Sequence, residues 1–234
     1  YAMCFNAIPY VADSIAKIIK SIFGKNKKVL ALDLDNTLWG GIVGDDGVGG
    51  IQIGQEMPKG QVFYEFQKYL KELQQIGVIL TVDSKNEVEN ALAGLNHPDG
   101  VLKPDDFVQI KANWNPKDQN LAEMAKDLSL GIDSFVFVDD NPAERALVSA
   151  QLPEIAVPEM DRAEHYICIL DHEGYFETTV LSKEDIGKTK KYRAKSEAKQ
   201  QMALFKSYEE YLQSLQMKAV VEDFKPIHIQ RIAQ

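Results

Sequence analysis

The chain has 234 residues, which at roughly 100–200 residues per domain means one domain with an extra piece or two small ones. Hydrophobic residues make up 45% and charged residues 26%, which excludes a disordered, collagen-like or disulfide-scaffold protein, and no run of about 18 uncharged apolar residues offers a membrane span. A net charge of −9 argues against nucleic acid as the main partner. Cys4 and Cys168, the two cysteines, stand in no metal-ligand or redox spacing and read as small core residues of a cytoplasmic protein.

From Ile8 to Phe23, apolar residues recur at helical spacing (Val11, Ile15, Ile18, Ile19, Ile22) between Asp13, Lys17 and Lys20. Residues 1–28 therefore predict an amphipathic linker helix, not a signal peptide. Both ends of the sequence look cut, so a fragment of a longer protein is expected. Val29–Leu32 predicts the first strand. Leu38 to Ile53 is Gly-rich with an Asp46-Gly47 turn signal, and predicts a small hairpin or flap. Pro58 opens a helix to about Gln75, Val78–Val82 is a second strand, and Glu87–Leu95 a helix. Phe107–Ile110, Phe135–Val138 and Ile155–Val157 read as further strands, with helices at Pro116–Leu130 and Pro142–Ala150.

Apolar strands alternating with helices predict an α/β, Rossmann-like parallel sheet covered on both faces over residues 29–171. A basic helical extension over residues 172–206 follows, opened by a capping-box string at Ser182–Asp185. Residues 207–234 read as the start of a truncated further domain, with a strand at Met217–Glu222.

Ligands of such sheets bind beyond the carboxyl ends of the strands. Those ends carry Asp33-Leu-Asp35-Asn36-Thr37, Ser84-Lys85-Asn86 and Asp139-Asp140, with Glu144 close after, and Lys117 lies just inside the helix after the third strand. One cleft then holds several carboxylates, a hydroxyl and a lysine, a set suited to phosphoryl transfer. Carboxylates without thiolate or paired imidazole favour a hard cation such as Mg2+. A carboxylate attacks phosphorus to form an aspartyl-phosphate, and a second one, two residues on, protonates the leaving group and then activates water. A lysine and a hydroxyl hold the remaining oxygens.

In order and placement these four motifs resemble those of the haloacid dehalogenase-like superfamily. The resemblance implies Asp33 as nucleophile, Asp35 as general acid/base, Ser84 on the phosphate and Lys117 as charge-balancing lysine. It implies Asp140 as the magnesium aspartate, joined by Asp33 and the backbone carbonyl of Asp35, with Asp139 and Glu144 behind these ligands. The longer strings Asp33–Gly41, Ser84-Lys-Asn86, Ala112-Asn-Trp114 with Lys117, and Phe135–Asp140 resemble the FkbH-like branch. That branch is implied to take a glyceryl group from 1,3-bisphosphoglycerate, remove phosphate and load an acyl carrier protein. Many of its members carry a cysteine directly before the Ser-Lys-Asn motif, where this chain has Asp83. A carboxylate forms no thioester, which weakens glyceryl transfer and leaves phosphatase chemistry intact.

Asn36, Thr37, Lys85, Asn86 and Trp39 are candidate substrate contacts. Trp39 serves equally as packing, and Lys85 and Asn86 as the start of the next helix. Only 48 residues separate Asp35 from Ser84 and 32 separate Ser84 from Lys117, so no large cap domain is expected. The open cleft would take a small phosphorylated substrate or one borne on a macromolecule. From Lys183 to Lys199, seven basic and three acidic residues form either a solvated face or a docking patch for an acidic carrier. Two other functions compete: a weakly active docking or scaffold domain of a multidomain synthase, and a receiver-type phosphoacceptor, whose motif order is opposite.

Overall fold

Four short, mostly apolar runs build the sheet: β1 (Val29–Leu32), β2 (Ile79–Ser84), β3 (Phe107–Ala112) and β4 (Phe135–Val138). All pair in parallel, in the order β3-β2-β1-β4, and β1 and β4 are buried along their whole length. The structure, a computed structural model, describes residues 3–178, 187–203, 207–214 and 216. The chain divides into two units, Tyr1–Ser196 and Glu197–Gln234.

Side chains alternate across the pleat, so each strand feeds two cores. Leu30, Leu32, Leu80, Val82, Val136 and Val138 face one side, with Phe66 and Leu70 of α3 (Pro58–Gln75), Ala91 and Leu95 of α4 (Val88–Leu95) and Tyr166 of α7 (Tyr166–Glu173). Val29, Ala31, Ile79, Phe135 and Phe137 face the other, under Leu121 and Met124 of α5 (Lys117–Leu128) and Val148 of α6 (Pro142–Gln151). The same parity carries past the strand ends. Asp33, Asp83 and Asp139 continue the rows of Ala31, Thr81 and Phe137, toward α5.

Three expectations need correction. The Gly-rich segment is a flap but hardly a hairpin: Asp46 accepts from the Ile42 N–H at 2.8 Å and shapes the short helix α2 (Val43–Asp46), which Gly47 ends at φ +66°. The antiparallel pairing shrinks to one bridge, Gly40 with Gln52. Ile155–Val157 makes only a bridge from Ala156 to Val136, because Pro153 and Pro158 bracket it and cannot extend a ladder. Cys4 and Cys168 are both exposed; Cys168 lies on the outward side of α7, between the inward Tyr166 and Leu170.

Helix α1 (Ile8–Ile22) forms where its periodicity predicts, with its faces reversed. Lys17 donates to the Asp171 carbonyl at 3.3 Å and Lys20 lies 5.5 Å from the Tyr175 ring, while Val11, Ile15, Ile18, Ile19 and Ile22 are exposed. In the basic stretch, α8 (Lys188–Ala203) bonds Asp105 through Arg193 and buries Ser196 near Gln109. The second unit contributes α9 (Tyr208–Ser214). The capping string at Ser182–Asp185 and the strand at Met217–Glu222 lie outside the described residues. Among the described residues no helix is long and apolar enough to cross a membrane, and no cap domain interrupts the sheet.

Candidate active site

β1 is flanked on both sides, so Asp33 leaves the sheet between β2 and β4, its N–H bonded to the Val138 carbonyl at 2.9 Å. Lys117 opens α5, where Pro116 ends the extended loop after β3. Its ammonium, buried at 3% exposure, donates to Asp33 Oδ1 at 2.8 Å and to Asp139 Oδ2 at 2.5 Å. Burial alone would lower the Lys117 pKa, but the two carboxylates outweigh it and hold it above the ordinary value. For Asp33, burial and the neighbouring Asp139 push the pKa up to about 6 against the pull of Lys117 and Ser84, which leaves it ionised at neutral pH. Asp140 is raised by burial and by Asp139.

Carboxylate oxygens of Asp33, Asp139 and Asp140 lie within 4.8 Å of one another. An all-oxygen set with no thiolate or imidazole fits a hard divalent cation. The loop presenting Asp139 and Asp140 is fixed from behind. Asn141 caps α6 by accepting from the Ala143 N–H, and the buried Arg145 donates to the carbonyls of Asp139 and Asp140, both at 2.9 Å.

Asp35 is held by three donors. Oδ1 accepts from Trp39 Nε1 and the Val43 N–H, each at 2.9 Å, and Oδ2 from Asn86 Nδ2 at 2.7 Å. Two of these donors belong to the flap. Gly94 makes room for the indole, since a Cβ there would lie 2.7 Å from its Cη2. A cleft of about 400 Å³ opens above this floor, lined by Asp33, Asp35, Ser84, Lys117, Asp139 and Asp140, with Asn36, Ile42, Lys85 and Glu144 on its walls.

The chain resembles a solved structure from Bacteroides fragilis, described as the N-terminal part of the protein BF1531 containing a phosphatase domain complexed with Mg. Identity is 41% and the TM-score 0.72, over 76% of this chain and 48% of that one, so the match spans about half the length of that relative. A HAD-like family hydrolase from Porphyromonas gingivalis matches at 14% identity and TM-score 0.43, over 63% of this chain and 97% of that one. A HAD-superfamily hydrolase of subfamily IA from Geobacter sulfurreducens matches at 12% and 0.38, over 61% and 98%. These two are too distant to inform residue roles. No family model and no curated protein matches the chain. Over 76% of its length the chain is thus similar to a structure that contains a phosphatase domain with bound Mg.

The fold brings Asp33, Asp35, Asn36, Ser84, Lys85, Lys117, Asp139, Asp140 and Glu144 to one cleft. Lys85 reaches it paired with Glu144 at 2.5 Å. Three candidate substrate contacts do not line it. Thr37 is fully buried, its hydroxyl without a hydrogen-bond partner. Trp39 is 1% exposed and orients Asp35, and Asn86, also buried, does the same. Sequence reasoning missed Arg145, whose basic side chain three residues after Pro142 was the available signal.

It also missed Asn120, one turn after Lys117, which donates to Asp83 Oδ1 at 2.8 Å. Asp83 is fully buried beside Asp33, and its Oδ2 has no partner. Burial pushes its pKa up to about 7, against the pull of Asn120 and Lys117.

Proposed function

We propose that the chain is a magnesium-dependent phosphatase or phosphotransferase working through an aspartyl-phosphate on Asp33, of the FkbH-like type. The observation that carries this reading is the buried Lys117–Asp33 contact at 2.8 Å on the floor of an open polar cleft, with Asp139 and Asp140 beside it. Lys117 orients Asp33 and keeps it ionised. Asp33, Asp140 and the backbone carbonyl of Asp35 would hold Mg2+, with Asp139 behind them on Lys117 and the Asn141 N–H, and the cation would supply the positive charge that lets an anionic phosphate approach an anionic nucleophile.

Asp33 attacks phosphorus and the bond to the leaving oxygen breaks, with Asp35 giving that oxygen a proton. Asp35 then takes a proton from water as the water attacks phosphorus. The Asp33–phosphorus bond breaks and inorganic phosphate leaves. Ser84 and Lys117 hold the non-bridging oxygens. Because Trp39 and the Val43 N–H hold Asp35, the flap sets the position of the acid.

Glyceryl loading of an acyl carrier protein is the less favoured variant of this reading. Position 83 holds a carboxylate where the thioester needs a thiol, and its side chain is fully buried. A carrier protein stays in the proposal as a bearer of substrate, steered by the basic residues of α8. Exposed free thiols at Cys4 and Cys168 support a cytoplasmic setting.

The test is phosphate release with Mg2+ from small phosphate esters and from 1,3-bisphosphoglycerate, with and without carrier protein. Asp33→Asn is expected to abolish it. Equal rates in that variant refute the assigned nucleophile.

A further inference from the structure

The floor of the cleft accounts for the phosphoryl group and leaves one pair on its wall unused. Lys85 follows Ser84 at the end of β2, and Glu144 lies in the first turn of α6, after β4. In the sheet order, β1 stands between those two strands. The contact of Lys85 Nζ with Glu144 Oε1 at 2.5 Å therefore ties together the two strand ends that flank Asp33.

The partners are unequal. The Glu144 side chain is 15% exposed and its Oε2 is buried without a hydrogen-bond partner, whereas the Lys85 side chain is 38% exposed. The carboxylate is set into the wall, and the ammonium stands on its open side. Nor is Glu144 spent on its own helix. Asn141 is the N-cap of α6, and a glutamate three residues on ordinarily reaches back to the N-cap N–H. Here Asp139 Oδ1 accepts from that N–H at 2.8 Å, and Glu144 serves Lys85 instead.

The charge balance of the cleft gives the ammonium its task. The lining residues include five carboxylates, Asp33, Asp35, Asp139, Asp140 and Glu144, against two lysines. Lys117 is buried and committed to Asp33 and Asp139. Lys85 has three donors, of which the contact with Glu144 takes one. A second negative group on a substrate is repelled by these carboxylates, and Lys85 is the accessible cation among the lining residues.

We infer that Lys85, held by Glu144, is a specificity-determining residue that takes a second anionic group on the substrate, a carboxylate or another phosphate, while the phosphoryl group sits at Asp33. The inference rests on the phosphatase reading and gives it a substrate class: a phosphate ester or acyl phosphate with negative charge on its organic part. An ammonium already steadied by Glu144 loses less side-chain freedom when such a group arrives.

The experiment measures kcat/KM with Mg2+ for phosphoglycolate, 1,3-propanediol bisphosphate and propyl phosphate in wild type, Lys85→Met and Lys85→Arg. In Lys85→Met the ratio of a doubly anionic substrate to propyl phosphate is expected to fall about tenfold, mainly through KM, the size of one charge-assisted hydrogen bond at a partly exposed site. Lys85→Arg restores most of it. The substrate whose ratio falls tells carboxylate from phosphate. Because Lys85→Met leaves Glu144 unpaired, Lys85→Met/Glu144→Gln is run beside it, and the ratio is expected to stay low there. An equal loss on all three substrates, unchanged ratios, or a ratio that recovers in the double variant overturns the inference.

Asp33→Asn is run on the same substrates. Turnover that persists there overturns the phosphatase reading itself, whereas Asp33-dependent turnover with unchanged Lys85 ratios overturns only the role of Lys85. A second readout needs no turnover. In calorimetric titration with Mg2+, 3-phosphonopropionate is expected to bind wild type more tightly than propylphosphonate does, and that preference is expected to shrink about tenfold in Lys85→Met; an identical preference in both proteins overturns the inference.

Discussion

Asp83→Asn removes a carboxyl from the innermost part of the site while keeping its shape and its acceptor for Asn120. In the wild type burial raises this group from 3.8 to about 7. Below pH 4 the native and unfolded chains both hold the proton, and the group adds nothing to the pH dependence. Between about pH 4 and 7 the unfolded chain has lost the proton and the native chain still binds it, so native stability falls as pH rises. Three units at 1.36 kcal/mol each give a penalty of about 4 kcal/mol above pH 7, with about 2–3 kcal/mol of it developing between pH 5 and 8. Asparagine carries no such penalty. In urea unfolding at pH 5, 6, 7 and 8, the variant is expected to gain on the wild type by an amount that grows with pH, at unchanged m-value. A stability difference that stays constant from pH 5 to 8 refutes the reasoning, because it would mean that Asp83 titrates alike in both states.

Lys117→Met leaves Asp33 and Asp139 facing each other without their cation. Stability is expected to fall by about 3–5 kcal/mol in urea unfolding, and phosphate release by about 10²–10³. Asn86→Ala frees one oxygen of Asp35, and the loss of rate should be larger for alkyl phosphates than for acetyl phosphate, since a poor leaving group depends more on the acid; an equal loss on both contradicts the role given to Asn86. Gly94→Ala places a Cβ against the Trp39 ring and is expected to cost about 1–3 kcal/mol, read in thermal unfolding, together with a drop in kcat. Charge reversal at Lys190 and Lys191 is expected to weaken binding of an acidic carrier protein and to make it insensitive to salt; unchanged binding removes the docking patch.

What was legible in the sequence divides along one physical line. Val29–Leu32 and Phe135–Val138 are apolar throughout because helices cover both faces, and that pattern alone announces buried parallel strands ending in Asp33 and Asp139-Asp140. The strand ends then converge because the strands are parallel, so the floor of the cleft follows from local sequence. The side chains that orient that floor are of another kind. Asn86 serves Asp35 from 51 residues away, Asn120 serves Asp83 from 37, and Trp39 reaches Asp35 only because Gly94, on a helix after β2, leaves room for the indole. Each of these depends on where another segment lies, which no local period encodes. Helix α1 shows the same limit from the other side: a 3.6-residue period fixes which residues share a face, but only the partner decides which face turns inward, and here Lys17 and Lys20 do. The flap joins both kinds. Its glycines and the Asp46-Gly47 pair are plain in the sequence, yet its contribution is made through Trp39 and the Val43 N–H, which fix Asp35, the proposed acid, two residues from Asp33, the proposed nucleophile. Loosening the flap should therefore cost protonation of the leaving group before it costs binding of the phosphate.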